Sequence, residues 1–124
     1  MIIPDLVEDL KRAFHEAFGP GARRDWVAID VTRERQRQNA KWGDLHYPDG
    51  TGRPGDAETA AALKAACKAN GPAEDNWRDI LAEEVAEAFA ETDPAKLRAE
   101  LIQIAAVAQA WAEDIDSRTE KERP

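Results

Sequence analysis

Apolar residues recur along this chain at helical spacing, three and four residues apart, and no segment shows the strict alternation of a half-buried strand. Residues 5–18 predict a first helix, with Ile3, Leu6, Val7, Leu10, Phe14 and Phe18 on one stripe and a stop at Gly19-Pro20-Gly21. A second helix is expected from Asp25 to about Trp42, its stripe of Trp26, Val27, Ile29 and Val31 fading by mid-length. Residues 43–55 hold four glycines and two prolines and read as a loop. Residues 56–69 form an Ala-rich helix ended by Asn70-Gly71-Pro72. A fourth helix is expected over 76–91 with Asp75 as its N-cap, and Asp93-Pro94 reads as N-cap and first residue of a fifth. That last helix is expected to run to about Asp116. Its stripe of Leu97, Leu101, Ile104, Ala108, Trp111 and Ile115 follows a 4-3-4-3-4 spacing, the pattern of a helix packed lengthwise in a bundle.

The short connection before Pro94 makes the last two helices an antiparallel hairpin. The chain therefore reads as all-α, with a single helical domain over residues 1–116 and a charged tail over 117–124. A 124-residue chain has a modest core, so burial by self-association fits its size. With 25 acidic and 17 basic side chains the net charge is −8, which argues against a nucleic-acid-coating protein. Small phosphorylated ligands stay open, because a bound divalent cation reverses the local sign of a site. The single Cys67 rules out an intramolecular disulfide and multi-cysteine zinc patterns and fits a small core position. No apolar run approaches the roughly 20 residues of a membrane span. The first ten residues carry acids where a signal peptide carries bases, and the expected location is cytoplasmic. His15, between Phe14 and Phe18, has no partner constellation for nucleophilic chemistry, and neither has Cys67.

The acids of the hairpin are the informative feature. In its first arm Trp77, Ile80, Leu81, Val85 and Ala88 make the apolar face; Glu84 projects from that stripe and Glu87 follows three residues later. In the second arm Glu100 lies between Leu97 and Ile104, with Gln103 one turn further on. Antiparallel pairing brings three carboxylates and one amide together at the edge of a core, an unfavourable cluster unless a cation neutralises it. Oxygen-only ligands suit Mg²⁺ or Mn²⁺. The competing reading is a solvated helical face, since Glu is a strong helix former and Glu-Glu-x-x-Glu is common on such faces.

Glu83-Glu84-Val85-Ala86-Glu87, twelve intervening residues, then Glu100-Leu101-Ile102-Gln103 resembles the signature of the MazG-like all-α nucleoside triphosphate pyrophosphohydrolases, E-x-x-E, a spacer, then E-x-x-D. Residues 34–43, ending in Lys41-Trp42-Gly43, and residues 46–52, His-Tyr-Pro-Asp-Gly-Thr-Gly, are similar to the phage and actinobacterial branch of that family. The similar stretches run from about Val31 to Trp111, most of the chain. One position departs from the pattern: the family's final Asp is Gln103 here, whose amide oxygen can coordinate a hard cation but carries no charge.

The resemblance implies a four-helix bundle core, here with an extra N-terminal helix, assembled as a homodimer or homotetramer. It implies water attack on the α-phosphorus of a (deoxy)nucleoside triphosphate, yielding monophosphate and pyrophosphate. It also implies Mg²⁺ or Mn²⁺ held by Glu84, Glu87, Glu100 and Gln103. Phage relatives of the MazZ type act on dGTP and GTP, which makes a guanine nucleotide the preferred substrate and, for a phage-encoded chain, host cytoplasm the location. Glu83 and Glu84 are the candidates for orienting the water or accepting its proton, with an exposed acid as the other reading of Glu83. Arg33, Arg37 and Lys41 recur at four-residue spacing on one helical face; Arg37 and Lys41 are candidate phosphate contacts, and Gln38 lies one turn before Trp42. Relatives stack an aromatic residue from this region on the base, so Trp42 is either a base partner or a plug at a helix end. Asn39 and His46 are weaker candidates for base or ribose contacts. Trp77 and Trp111 fall on bundle stripes and read as core or subunit interface. The alternative function is a non-catalytic helical nucleotide-binding or regulatory protein that keeps the bundle, a reading Gln103 favours.

Overall fold

The computed structural model describes residues 6–18, 23–71 and 73–122, and side chains for most of them. These residues form five α-helices and no strand, so the chain is all-α. They are α1 (Leu6–Phe18), α2 (Arg23–Trp42), α3 (Asp56–Ala69), α4 (Trp77–Ala90) and α5 (Pro94–Glu122). The chain divides into two compact units, Met1–His46 with Ala112–Pro124, and Tyr47–Trp111.

In the first unit α1 packs on α2. The Trp26 Nε1–H donates to the Lys11 carbonyl at 2.7 Å, and the Lys11 ammonium pairs with Asp30 at 2.7 Å. Val27 is buried, whereas α2 turns polar and mostly exposed beyond Val31, as its fading stripe predicts. Leu6 and Leu10, expected on the apolar face of α1, are exposed. Ile3, the Gly19-Pro20-Gly21 stop and the side chains of Val7, Phe14, His15 and Phe18 lie outside the described residues.

The second unit holds the site. Its loop, residues 47–55, is a built structure: Gly52 N–H donates to the Phe89 carbonyl at 2.7 Å, tying the loop to the end of α4. The Gly52 backbone has φ +74°, and a Cβ there would clash with Thr92 Cγ2, so only glycine fits both the conformation and the space. Helix α3 packs antiparallel on α4. Cys67, near the end of α3, lies against Asp79 at the start of α4, with Sγ 3.7 Å from its carbonyl, while Asp56, the first residue of α3, shares a cavity with Phe89.

Helix α4 begins one residue later than expected. Its N-cap is Asn76, whose Oδ1 accepts from Asp79 N–H at 2.9 Å, and not Asp75. Both residues have capping side chains; the one that lies three residues before a free helical N–H takes the position. The turn from α4 to α5 is held by its acids. The Glu91 carboxylate accepts from Thr92 N–H and Asp93 N–H at 3.1 and 3.0 Å, and Asp93 caps α5 by accepting from Lys96 N–H at 3.0 Å. Pro94 then opens α5 as expected, supplying no donor where none is needed.

Trp111 lines the same cavity as Arg78 and Leu81, whereas Leu97 and Leu101 line a recess with Ala88 and Phe89. Later residues of α5 thus meet earlier residues of α4, the expected antiparallel hairpin. Buried Ala86 and Ala88 mark where neighbours come closest to α4, and Leu97 closes the hairpin end. α5 continues six residues past its expected end at Asp116, to Glu122. No glycine or proline interrupts residues 117–122, so a charged segment prolongs the helix.

Candidate metal centre

Glu84 and Glu87 are one turn apart on α4, and Glu87 borders a recess shared with α3. Glu100 sits two turns into α5. The antiparallel hairpin brings the three together: each offers a carboxylate oxygen, and these oxygens lie within 4.8 Å of one another. All three residues are half-buried. Among the described residues, none of the ion pairs involves them; those found join Lys11 to Glu8 and Asp30, Arg12 to Asp9, and Arg37 to Glu34.

Burial pushes the Glu84 carboxyl above the usual glutamate range, and the charges of Glu100 and Glu83 add to it. Glu87 is raised for the same reasons, by burial first and then by Glu84, Glu100 and Glu83, with Lys64 pulling the other way. A divalent cation fits this donor set. Oxygens around Mg²⁺ at about 2.1 Å are at most about 4.2 Å apart, so small side-chain rotations close the cluster onto an ion. Glu84, Glu87 and Glu100 would hold it, and hard oxygen donors of this kind suit Mg²⁺ or Mn²⁺.

Glu83 points elsewhere. It faces α3 beside the Cys67 thiol, which burial and the nearby charges of Glu83, Asp79 and Asp75 push up. It is half-buried and stands outside the three-carboxylate group, so it acts on that group through its charge. Gln103 lies one turn beyond Glu100 on α5 and is exposed.

A recess of about 430 Å³ adjoins the carboxylates, lined by Ala57, Ala60, Ala61 and Lys64 of α3, by Glu87, Ala90 and Glu91, and by Glu100. Four alanines keep it open. Lys64 has no local pattern to single it out: in an Ala-rich helix it reads as a solvated lysine, and it is exposed, but the packing of α3 on α4 makes it a lining residue of this recess with Glu87 and Glu100. A second, apolar cavity of about 400 Å³ is lined by Leu63, Leu81, Val85, Phe89 and Trp111, together with Asp56 and Arg78. Trp77 is half-buried, like Trp111.

Arg37, Gln38, Lys41 and Trp42 belong to α2, in the first unit. Arg37 donates to Glu34, with Nε at 2.8 Å, and Gln38 accepts from Arg35 at 2.7 Å. The Lys41 ammonium stands 5.1 Å from the centre of the Trp42 ring, a cation–π contact. Trp42 is 54% exposed, so it is no plug at the helix end. Asn39 and His46 are exposed as well.

Comparison with protein-family models, curated proteins and solved structures gives no match for this chain.

Proposed function

We propose that this chain is a metal-dependent nucleoside triphosphate pyrophosphohydrolase. It converts a (deoxy)nucleoside triphosphate, with dGTP or GTP preferred, to the monophosphate and pyrophosphate, and works as a homodimer or homotetramer. The observation that carries this reading is the convergence of Glu84, Glu87 and Glu100 at the hairpin, engaged by none of the ion pairs among the described residues. The motif resemblance supplies the reaction; the guanine preference rests on that resemblance alone.

A divalent cation at this cluster supplies charge neutralisation for the triphosphate and a lowered pKa for a water. The chain's own residues do the rest. Glu84, Glu87 and Glu100 hold the cation and so fix where the triphosphate chain lies. Water oxygen bonds to the α-phosphorus as the bond to the bridging oxygen breaks, pyrophosphate departs with that oxygen, and the water's proton passes to a carboxylate. Glu84, the first acid of the cluster, is the candidate acceptor; Glu83, turned toward Cys67, contributes charge behind it. Among the α2 residues that the motif resemblance implicates in substrate binding, Lys41 and Trp42 form an exposed cation–π pair, Arg37 donates to Glu34 and Gln38 accepts from Arg35.

A second reading is favoured by Gln103, an exposed amide where the resembled family has an acid: a nucleotide-binding protein without turnover. Product analysis separates the two. Purified protein is incubated with Mg²⁺ or Mn²⁺ and each common NTP and dNTP, and products are resolved by anion exchange. Monophosphate with pyrophosphate is expected, fastest from dGTP or GTP. Diphosphate with orthophosphate would overturn the reaction, and retention of intact nucleotide would establish the binding protein.

A further inference from the structure

Resting on the metal-centre reading above, we infer that Lys64 of α3 binds the phosphate chain of the ligand, spanning the recess beside Glu84, Glu87 and Glu100. The recess has walls of opposite sign. One carries Glu87, Glu91 and Glu100, and the other carries Lys64 among alanines too short to reach across. Among the described residues Lys64 is the only cation that lines it. The Glu91 carboxylate is committed to the backbone of the turn, which leaves Glu87 and Glu100 as the acids facing the ligand.

Lys64 is exposed, lines the recess and takes part in none of the ion pairs among the described residues, and its charge acts on Glu87. In a chain of net charge −8 a polyanion is repelled from most of the surface. A cation bound by the acids and an ammonium on the facing helix give a phosphate chain two anchors of the right sign. The same ammonium opposes binding of a bare metal ion, because like charges repel. Lys64 therefore has opposite effects on the two ligands, which no merely structural role produces.

The test uses Mn²⁺ alone, and inorganic tripolyphosphate in the presence of Mn²⁺, titrated into the full chain as wild type, Lys64→Gln and Lys64→Arg. Tripolyphosphate carries no base, so substrate preference does not enter. Lys64→Gln is expected to weaken tripolyphosphate binding by about tenfold to a hundredfold, the loss of one charge-assisted hydrogen bond. It should leave Mn²⁺ alone bound as tightly or more tightly, and Lys64→Arg should restore most of the tripolyphosphate affinity. Equal tripolyphosphate affinity in Lys64→Gln and wild type, with Mn²⁺ bound by both, overturns the role of Lys64 and leaves the metal centre standing. Weaker Mn²⁺ binding in Lys64→Gln makes the lysine structural and also overturns it. Failure of the wild type to bind Mn²⁺ removes the metal centre and this inference with it.

Discussion

The carboxyls of Glu84 and Glu87 are held above the ordinary glutamate value of 4.5, first by burial and then by neighbouring charge, from Glu100 and Glu83 at Glu84 and from Glu84, Glu100 and Glu83 at Glu87. Such groups bind more protons folded than unfolded, so their contribution to stability falls as pH rises through the raised range. Glu84→Gln removes that cost. The variant is expected to melt higher than wild type at neutral pH without metal, and the gap should close as pH falls toward 4.5, where wild-type Glu84 is itself protonated in the fold. Saturating Mn²⁺ reverses the order: at a hundredfold its Kd the ion stabilises wild type by about 2.7 kcal/mol, a gain Glu84→Gln lacks. Thermal melts at several pH values, with and without Mn²⁺, read both effects. Gln103→Asp probes the neighbouring turn of α5. If the side chain at 103 reaches the ion, an added charge tightens Mn²⁺ binding; an unchanged titration curve would take Gln103 out of the shell.

Three short elements place the acids: the loop over α4, the cap at Asn76 and the turn held by Glu91 and Asp93. The loop depends on Gly52, whose N–H reaches Phe89 and whose missing side chain leaves space for Thr92. Gly52→Ala adds a left-handed alanine and a close contact with Thr92 Cγ2, and is expected to cost at least about 1–3 kcal/mol. Adding Thr92→Ser removes the methyl and should recover the contact part but not the backbone part. Urea unfolding of the single and double variants measures the two separately. Because the loop closes the end of the hairpin that carries Glu87 and Glu100, Gly52→Ala should also lower Mn²⁺ affinity.

At the scale of the whole molecule, apolar side chains are left uncovered where a partner would be needed. Phe89 is 57% exposed, Leu101 51% and Ile102 55%, and Ala105, Ala106 and Ala108 continue the exposed surface of α5. Small residues let a second helix approach closely, and a large exposed apolar patch marks an interaction surface. The proposed homodimer or homotetramer accounts for them. Sedimentation equilibrium of the wild type is expected to give twice or four times the 13.7 kDa chain mass. Leu101→Glu should shift it toward monomer, and a wild type that sediments as one chain would remove the oligomer. No helix among the described residues is long and apolar enough to cross a membrane.

The helices follow from local physics along the chain. Spacing of apolar residues, Asp93-Pro94, and the glycines and prolines of residues 43–55 act within a few positions of themselves, so the helix order and the antiparallel hairpin were legible. The pairing of Glu84 and Glu87 with Glu100 followed from that hairpin, because a three-residue turn leaves little freedom of register. What acts between elements was not legible. Asn76 rather than Asp75 caps α4 because of where the first free N–H falls, and Glu83 turns to Cys67 because α3 lies along that face of α4. Packing of α3 also brings Lys64 to the acids, an encounter between residues more than twenty positions apart that no local pattern encodes. Tertiary structure decided these, since one helix presents every side to its surroundings and only its neighbours choose which side becomes the site.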